Sequence, residues 1–521
     1  SRDNVSTVDH RDVATGPVVG SPIVQWLGET TDAIDGFVQS VVLNTPADLS
    51  ADALDEILTA LVRRHDMLRA RLVRGDRWSF DIPEADRATA SWQESDRPLD
   101  ECVALATDGL APADGAMLRA VWRREARQLV LVAHHVVIDG VSWRILMEDL
   151  ATAWRQFTSG MPVEPPPVGT SFRRWTQLLE RAAFDADGSY YWRPLPGADG
   201  PVGRRALSAA DTVARERTRT VSVGPEVTAA LLGEVPAKFH TGVGDVLLTA
   251  LAVALARRRR DLGQDQTFAH IELEGHGREG QFVAGSAGFE PELSRTVGWF
   301  TTLFPVLVDP GAAADFTDPA YLTSALKRVK EHLADVPDNG VSYGALRYLT
   351  HTAFDAPAPQ VLFNYLGRFD AGAAGDWQLV RTTGQLGEKR DPRMRLPRPL
   401  EFNAIAEPAA TGAYELVTTI SWPDGMFTDE DITTLGEYFR AALAGLAALD
   451  RGGHSPSDFP LVPLTQSDVD GLDGPALRDI LPLTPLQEGL YFHSVFDDDS
   501  AGAYVEQQLL TLEGEVDADR L

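Results

Sequence analysis

The sequence has little lysine, a single cysteine and no long apolar run, and each scarcity excludes a class of protein. Lysine occurs only as Lys238, Lys327, Lys330 and Lys389, so arginine carries nearly all of the positive charge. Cys102 stands alone, which excludes an intrachain disulfide and a thiolate zinc cage. Such a chain suits a reduced cytoplasm, which is the expected compartment. No window approaches about 18 consecutive apolar residues, so no membrane-spanning helix is expected.

Acidic side chains strongly outnumber basic ones. The 521 residues contain 76 Asp and Glu against 47 Lys and Arg, which gives a formal net charge of −29 at pH 7. Nucleic-acid binding is therefore not expected, because phosphate contacts require a surplus of Lys and Arg. At about 150 residues per domain, the length suggests several packed units.

Apolar periodicity predicts strands and helices mixed along the whole chain, which indicates an α/β (α+β) class. Residues 37–44 alternate as a strand does. Residues 49–72 follow as a predicted amphipathic helix, with Ser50 placed to cap it. The Gly-, Pro- and Asp-rich segment 185–205 is the best internal boundary, so two lobes of similar size are expected.

An internal repeat links the two ends of the chain. Residues 22–55 and 485–521 both contain Pro, Gln, an aromatic residue, an acidic loop, an alternating strand and a helix start. Chance similarity between two strand–helix units is the alternative. We expect instead that a truncated second copy of the same kind of domain begins near Ile480.

The strongest local signal is AHHVVIDGVSW, residues 133–143. A hydrophobic strand delivers His134 and His135 into a loop, and Asp139 follows four positions after the second histidine. Adjacent residues at a strand end point to opposite faces, so the two imidazoles are poorly placed to share a zinc ion, and no metal is expected. Two buried hydrogen-bonding histidines are the alternative. The pattern favours proton transfer near neutral pH.

A second signal is HIELEGHGRE, residues 270–279. Strand alternation places His270, Glu272 and Glu274 on one face. Glu274 stands at the strand end, before glycines that allow backbone and substrate to approach closely. Burial can raise the pKa of a carboxylate at such a place and make it a base. A solvated edge strand with a charged face is the alternative.

Together these motifs resemble the condensation-domain superfamily of nonribosomal peptide synthetases, and its epimerization subfamily in particular. HHVVIDGVSW is similar to the histidine motif of the superfamily, and EGHGRE to a motif of the subfamily. Three further segments resemble subfamily motifs: RTVGWFTTLFP (295–305), PDNGVSYGALRY (337–348) and VLFNYLGRF (361–369). The resemblance covers about residues 15–455. The later segment DILPLTPLQEGLYFHS resembles the first motif of a condensation domain.

The resemblance implies two chloramphenicol-acetyltransferase-like lobes in a V-shaped pseudo-dimer, with the active site in a tunnel between them. Residues 1–15 are then an upstream linker, and residues 16–195 and 206–460 are the N-terminal and C-terminal lobes. An interdomain linker, 461–479, leads to the truncated start of a downstream condensation domain at 480–521.

The implied activity is that of an isomerase in antibiotic biosynthesis. It epimerizes, from L to D at Cα, an aminoacyl or peptidyl group held as a thioester on the phosphopantetheine arm of a carrier domain. The α-proton is removed to give an enolate, which is reprotonated on the opposite face. The domain itself binds no cofactor, and its partners are an upstream peptidyl carrier domain and a downstream condensation domain.

The resemblance also assigns site residues. Glu274 and His135 are the implied acid/base pair, with the order of proton transfer left open. Tyr365 is a candidate proton relay or enolate donor, with aromatic core packing as the alternative, and Asn364 beside it lines the site.

Further residues are expected to support the catalytic pair. Asp139 is expected to pair with Arg278 and hold the histidine loop in place, and His134 has a supporting role. Three aromatic side chains are expected to pack around the motifs: Trp143, Trp299 and Phe300.

Three rival functions remain open. A condensation domain shares the histidine motif but lacks EGHGRE and FNYLG, and a silent carrier-recruiting domain would have a decayed histidine motif. A free-standing acyltransferase that uses coenzyme A is disfavoured by the truncated second copy and the polar upstream linker.

Overall fold

Most of the chain is described by the computed structural model. It describes residues 12–186, 189–192, 200–350, 352, 354, 358–368, 375–380, 387–409, 412–474, 477–496, 508–511 and 513–514. The chain divides into two compact units, Ser1–Gly452 and Gly453–Leu521. Most of the expected upstream linker (1–11), part of the expected interlobe boundary (193–199) and part of the tail (497–507) lie outside the described residues.

Strands and helices are interspersed along the first unit, and the expected mixed α/β class is confirmed. The strands β1 to β14 are Gly16–Val19, Val38–Asn44, Arg71–Val73, Ser79–Ile82, Trp92–Glu94, Leu118–Arg123, Gln128–His134, Glu216–Val223, Ala269–Gly275, Thr302–Val308, Val361–Arg368, Gly387–Lys389, Leu400–Pro408 and Tyr414–Pro423. The α-helices α1 to α15 are Pro22–Thr30, Ala51–Arg64, Leu99–Asp108, Gly140–Thr158, Phe172–Asp185, Ser189–Trp192, Pro225–Ala229, Val235–Phe239, Val243–Asp261, Gly280–Ala287, Pro319–Ala334, Val341–Leu349, Asp429–Ala447, Gln466–Leu472 and Pro485–Phe496.

The sheet of the first lobe holds the strand that leads to the paired histidines. Its order is β12–β2–β7–β6–β5, with β7 between β2 and β6 and antiparallel to both. Leu129 and Leu131 of β7 pack with α2 and α4, whereas Val130 and Val132 pack in a cluster with α3. Both faces of β7 are therefore buried, which fixes the position of the histidines at its end.

The sheet of the second lobe holds the second motif. Its order is β10–β9–β11–β13–β14–β8, and β9, β11 and β13 run parallel to one another. One face packs against α9, α11 and α13 around a large apolar core that includes Ile271, Phe363 and Ala404. Because β9 and β11 are parallel neighbours, their carboxyl ends meet at one edge of the sheet.

One segment of the second lobe pairs with the sheet of the first lobe. β12 is antiparallel to β2, with Lys389 opposite Val38. Farther along β2, the amide of Val380 donates to Val42 O at 2.8 Å, and the amide of Trp377 donates to Asn44 O at 2.8 Å. The lobe limits expected from the sequence therefore do not separate the two sheets completely.

The helix expected over residues 49–72 is wrong beyond Arg64. The Ser50 cap is confirmed, since its Oγ accepts from the amide of Ala53 at 3.2 Å. However, α2 ends at Arg64, and His65 is extended, with φ −99° and ψ 106°. A 3₁₀ turn and then β3 follow. The buried His65 imidazole lies 2.9 Å from Asp149 Oδ2 on α4, a contact between distant parts of the chain that helical periodicity does not report.

Among the described residues, no single helix is long and apolar enough to cross a membrane. Two consecutive helical segments, Pro225–Phe239 and Val243–Asp261, are long and apolar enough to cross a membrane only when taken together. They are bent by 101° relative to each other.

The second unit contains α14 and α15. The hydroxyl of Thr465 caps α14 by accepting from the amide of Asp468. α15 begins at Pro485 and α1 begins at Pro22, the two prolines that the expected repeat aligns. Much of the strand and the helix start expected after it lies outside the described residues, so the repeat stays a prediction.

Candidate active site

The paired histidines stand where β7 ends. The backbone amide of His134 donates to Met117 O at 2.9 Å, and that of His135 donates to Phe37 O at 3.0 Å. A 3₁₀ turn over His135–Val137 follows, and α4 begins one residue after Asp139. The two imidazoles therefore have separate environments, as strand alternation predicts.

His134 is fully buried and held by the backbone. Its Nε2 donates to Ile34 O at 2.9 Å, and its Nδ1 accepts from the amide of Val136 at 3.4 Å. Burial lowers the pKa of His134 to about 4, so it is neutral at physiological pH. These contacts fit the supporting role expected for it.

His135 lies in an aromatic slot. Its ring stacks on Phe37, with centroids 4.5 Å apart and planes 9° from parallel, and meets Trp299 at a centroid distance of 4.7 Å. Its Nε2 lies 2.8 Å from the side-chain nitrogen of Gln39. Trp299, which the sequence assigned to packing, thus contacts the imidazole directly.

Sequence reasoning missed Phe37 and Gln39. Phe37 immediately precedes β2 and Gln39 is its second residue, so the two side chains, two positions apart in extended backbone, point to the same side. β2 pairs with β7, and Val38 lies opposite His134. The strand over residues 37–44 was predicted, but its pairing partner was not, and only that pairing brings Phe37 and Gln39 to His135.

Asp139 organises the loop after the histidines. The expected ion pair with Arg278 is present, since Arg278 Nη2 lies 3.0 Å and 3.1 Å from the two carboxylate oxygens. Asp139 also caps α4 by accepting from the amide of Ser142 at 2.7 Å, and it accepts from the amide of Phe300 at 3.2 Å. One carboxylate therefore joins the two sequence motifs to the segment that carries Trp299.

Arg278 is buried with the carboxylate that it binds. Its Nη1 donates to Thr296 O at 2.6 Å, and its guanidinium lies 3.8 Å from the centroid of the Phe300 ring. Burial lowers the pKa of Arg278, and the neighbouring Asp139 opposes that effect. Gly277, just before it, has φ +68°, and a Cβ there would lie 1.7 Å from Phe300 O. Only glycine allows this close approach of the two backbones.

Glu274 stands at the end of β9 and is exposed, so the burial expected from the sequence is absent. Its Oε2 accepts a hydrogen bond of 2.9 Å from Nδ2 of Asn364 on the parallel neighbour β11. This contact follows from the meeting of parallel strand ends at one sheet edge. Glu274 and Asn364 therefore form a polar pair at that edge.

The alternative of a solvated edge strand for residues 270–275 is wrong. β9 lies between β10 and β11, and both His270 and Glu272 are buried. Glu272 forms an ion pair with Arg398, which precedes β13. Only the last acidic residue of the strand, Glu274, reaches solvent.

Tyr365 lies on the other face of β11 from Asn364. It is opposite Ala404 of β13 and packs against the apolar core of the second lobe. Burial raises the pKa of its hydroxyl. This placement favours the packing role that the sequence left open for Tyr365 over the role of a proton relay.

A short stretch of chain connects the two halves of the candidate site. Trp299 contacts the His135 ring, and four residues later Leu303 lies opposite Glu274 in the pairing of β10 with β9. Four residues span at most about 14 Å. The described residues hold no cluster of three or more His, Cys, Asp or Glu placed to bind a metal ion.

Comparison with known proteins gives the family. The sequence model described as "Condensation domain" matches residues 25–452. A linear gramicidin synthase protein from Brevibacillus parabrevis is 30% identical over 538 residues, which cover 96% of this chain but 7% of that protein. Chondramide synthase from Chondromyces crocatus is 32% identical over 519 residues, which cover 92% of this chain and 12% of that protein. The chain thus spans a small part of the curated relatives that it matches.

Comparison with solved structures points to the same family of folds. The epimerization domain from the third module of tyrocidine synthetase B is similar, with a TM-score of 0.69 and 25% identity, over 84% of this chain and 98% of that one. A condensation domain from the enacyloxin polyketide synthase has a TM-score of 0.58 and 20% identity, over 89% of this chain and 86% of that one, and shows the shared fold. With its paired histidines and its match over residues 25–452, the chain belongs to the condensation-domain family of nonribosomal peptide synthetases.

Proposed function

We propose that this chain is an epimerization domain, which converts the Cα of a carrier-bound aminoacyl or peptidyl thioester from L to D. The observation that carries the proposal is the Glu274–Asn364 pair. It presents a carboxylate on the second lobe, a short chain segment away from the imidazole of His135 on the first. The similarity to a solved epimerization domain supports the same conclusion.

The chemistry requires two groups on opposite sides of one carbon. One of His135 and Glu274 takes the α-proton, and the electron pair of the broken C–H bond passes into the thioester carbonyl to form an enolate. The other group, protonated beforehand, then delivers its proton to the opposite face of Cα, and proton exchange with solvent returns both groups to their starting protonation states. Asp139 and Arg278 hold the histidine loop against the glycine-rich segment that follows Glu274.

Domains of this family receive their substrate on the phosphopantetheine arm of a carrier domain and bind no cofactor themselves. The proposed partners are therefore an upstream peptidyl carrier domain and, in the same assembly line, a downstream condensation domain. We assign residues 480–521 to the start of that downstream domain. The helix that begins at Pro485, like the helix that begins at Pro22, supports this assignment.

The test is a stereochemical assay in deuterated water. An upstream carrier is loaded with an L-aminoacyl phosphopantetheine and incubated with the chain, and the released amino acid is analysed for D content and α-deuterium. We expect both to appear with the wild type, and neither with Glu274→Gln or His135→Ala. Glu407→Gln makes the same change as Glu274→Gln at an exposed position on β13, and it should behave as the wild type.

Condensation is the second candidate, and the family match over residues 25–452 favours it. Amide formation would need the histidine motif but no proton donor on the opposite face. The assay is therefore repeated with a second carrier that bears an acceptor amino acid. A dipeptidyl thioester, formed without α-deuterium and insensitive to Glu274→Gln, would assign the chain to condensation. Carrier binding without either product would indicate a recruiting role.

A further inference from the structure

Gln39 on β2 joins two side chains of the histidine motif. Its Oε1 accepts a hydrogen bond of 3.0 Å from the indole nitrogen of Trp143, and its Nε2 lies 2.8 Å from Nε2 of His135. Gln39 is half-buried, and both partners are buried. A single amide thus connects the ring of His135 to the first turn of α4.

The chemistry of Trp143 fixes the direction of both contacts. An indole N–H can only donate, so the amide oxygen of Gln39 must face Trp143. The amide NH₂ must then face His135. Because that group can only donate, Nε2 of His135 must accept, and in the neutral ring the proton resides on Nδ1.

The neighbouring histidine has the opposite tautomer. His134 donates from Nε2 to a carbonyl and accepts at Nδ1 from an amide. Adjacent histidines are therefore held in different protonation patterns by different partners. The backbone fixes one of them, and a side-chain amide fixes the other.

We propose that Gln39, oriented by the indole of Trp143, is a positioning residue that holds His135 as the Nδ1–H tautomer with Nε2 as a proton acceptor. This inference rests on the proposed function, in which His135 exchanges a proton with Cα. In this structure the lone pair of His135 Nε2 accepts from Gln39, so the proton of the neutral ring is kept on Nδ1. The amide of Gln39 must turn away before Nε2 can take a proton from Cα, because a protonated Nε2 would oppose the N–H of Gln39.

The position of Trp143 depends in turn on Asp139. Trp143 lies four residues after Asp139, in the turn that Asp139 caps, and its backbone amide donates to Asp139 O at 3.2 Å. The position of the indole therefore depends on the cap. Phe37 and Trp299 hold the plane of the His135 ring, and Gln39 determines which of its nitrogens accepts.

The decisive variant is Gln39→Glu. One carboxylate oxygen can still accept from Trp143, but the other can only accept and therefore requires a proton on Nε2 of His135. Gln39→Met keeps the approximate shape without either hydrogen bond, and Trp143→Phe removes the donor that orients the amide. Gln93→Glu makes the same chemical change at an exposed position on β5 of the same sheet, as the matched control.

The tautomer is read by ¹⁵N NMR of histidine-labelled protein, with the His135 signals assigned by difference from His135→Ala. We expect the wild type and Gln93→Glu to show Nδ1 protonated, Gln39→Glu to show Nε2 protonated, and Trp143→Phe to show a mixture. In the deuterium-exchange assay, Gln39→Glu should lower kcat at least about tenfold with KM nearly unchanged, and Gln39→Met should have a smaller effect.

Two results would overturn the inference: a wild-type His135 protonated on Nε2, or a Gln39→Glu variant with an unchanged tautomer and kcat. If Gln39→Glu does not fold, an unmixed tautomer in Trp143→Phe serves the same purpose. The NMR measurement needs no substrate. A wild type with the expected tautomer but no α-deuterium exchange would therefore refute the proposed function and still support the tautomer assignment.

Discussion

Arg278 binds Asp139 through one nitrogen, which lies 3.0 Å from Oδ1 and 3.1 Å from Oδ2 of the carboxylate. Each side chain is only 8% exposed, so the charges neutralise each other in a region with little water. The pair joins the loop after the histidines to the loop after Glu274. Its removal should therefore affect both stability and proton transfer.

Asp139→Ala should lower the free energy of unfolding by about 3–5 kcal/mol, because it leaves a buried guanidinium without its carboxylate and removes the cap of α4. Urea denaturation measures the change. In the double variant with Arg278→Met, the loss should be clearly smaller than the sum of the two single losses. Additive losses would show that the two side chains do not stabilise each other.

Gly277→Ala should disrupt the same loop by another route, since its Cβ would lie 1.7 Å from a carbonyl oxygen and the residue has positive φ. We expect a lower melting temperature and loss of exchange activity. Gly285→Ala in α10 is the control, because nothing lies within 4 Å of a Cβ at that position. Equal behaviour of the two variants would contradict the close approach of the two backbones.

Asn364→Ala removes the donor to Glu274 and should reduce the exchange rate about tenfold or more, as expected for a hydrogen bond to a charged group. Asn364→Asp should reduce it further, because it places a second carboxylate beside the first. The rate of α-deuterium incorporation measures both effects, with carrier affinity as the check on folding. A wild-type rate in Asn364→Asp would show that the Glu274–Asn364 pair takes no part in the proton transfer.

His134 should make stability depend on pH. Its pKa in the folded protein is about 4, below the ordinary value of 6.5, so between these values the unfolded chain binds more protons. The resulting stability is complete above pH 6.5 and is lost as the pH falls towards 4, by roughly 3 kcal/mol at most. The unfolding free energy of His134→Gln should therefore fall less steeply over this range.

Another buried group opposes that trend. Burial raises the pKa of Asp66 to about 6, so its own contribution decreases as the pH rises from 3.8 towards 6. Asp66 is present in both proteins, and the difference between wild type and His134→Gln at each pH isolates His134. Parallel curves for the two proteins would contradict the buried, neutral state of His134.

The sequence predicted what depends on local pattern and on motif identity. Local pattern predicted the alternation of β2 and β9 and the Ser50 cap. Motif identity predicted the partnership of Asp139 with Arg278. The end of α2 was not, because the contact of His65 with Asp149 joins positions far apart in the chain. Gln39 and Phe37 were missed for a related reason, since their roles arise only when β2 pairs with β7.

The exposure of Glu274 was also beyond sequence reasoning. Alternation assigned it to one face with His270 and Glu272, but burial changes along that face from the middle of the strand to its end. Tyr365 illustrates a similar limit, because membership in a motif did not specify which face of β11 it occupies.

The pairing of β12 with β2 determines where related proteins can be recombined. An exchange of residues 16–195 alone would separate β2 from the strand that covers it, and would leave unpaired amide and carbonyl groups along an exposed sheet edge. Such an edge is a site for aggregation between chimaeric molecules. A productive chimaera would carry residues 375–389 with the first lobe, although they lie near the far end of the unit in sequence.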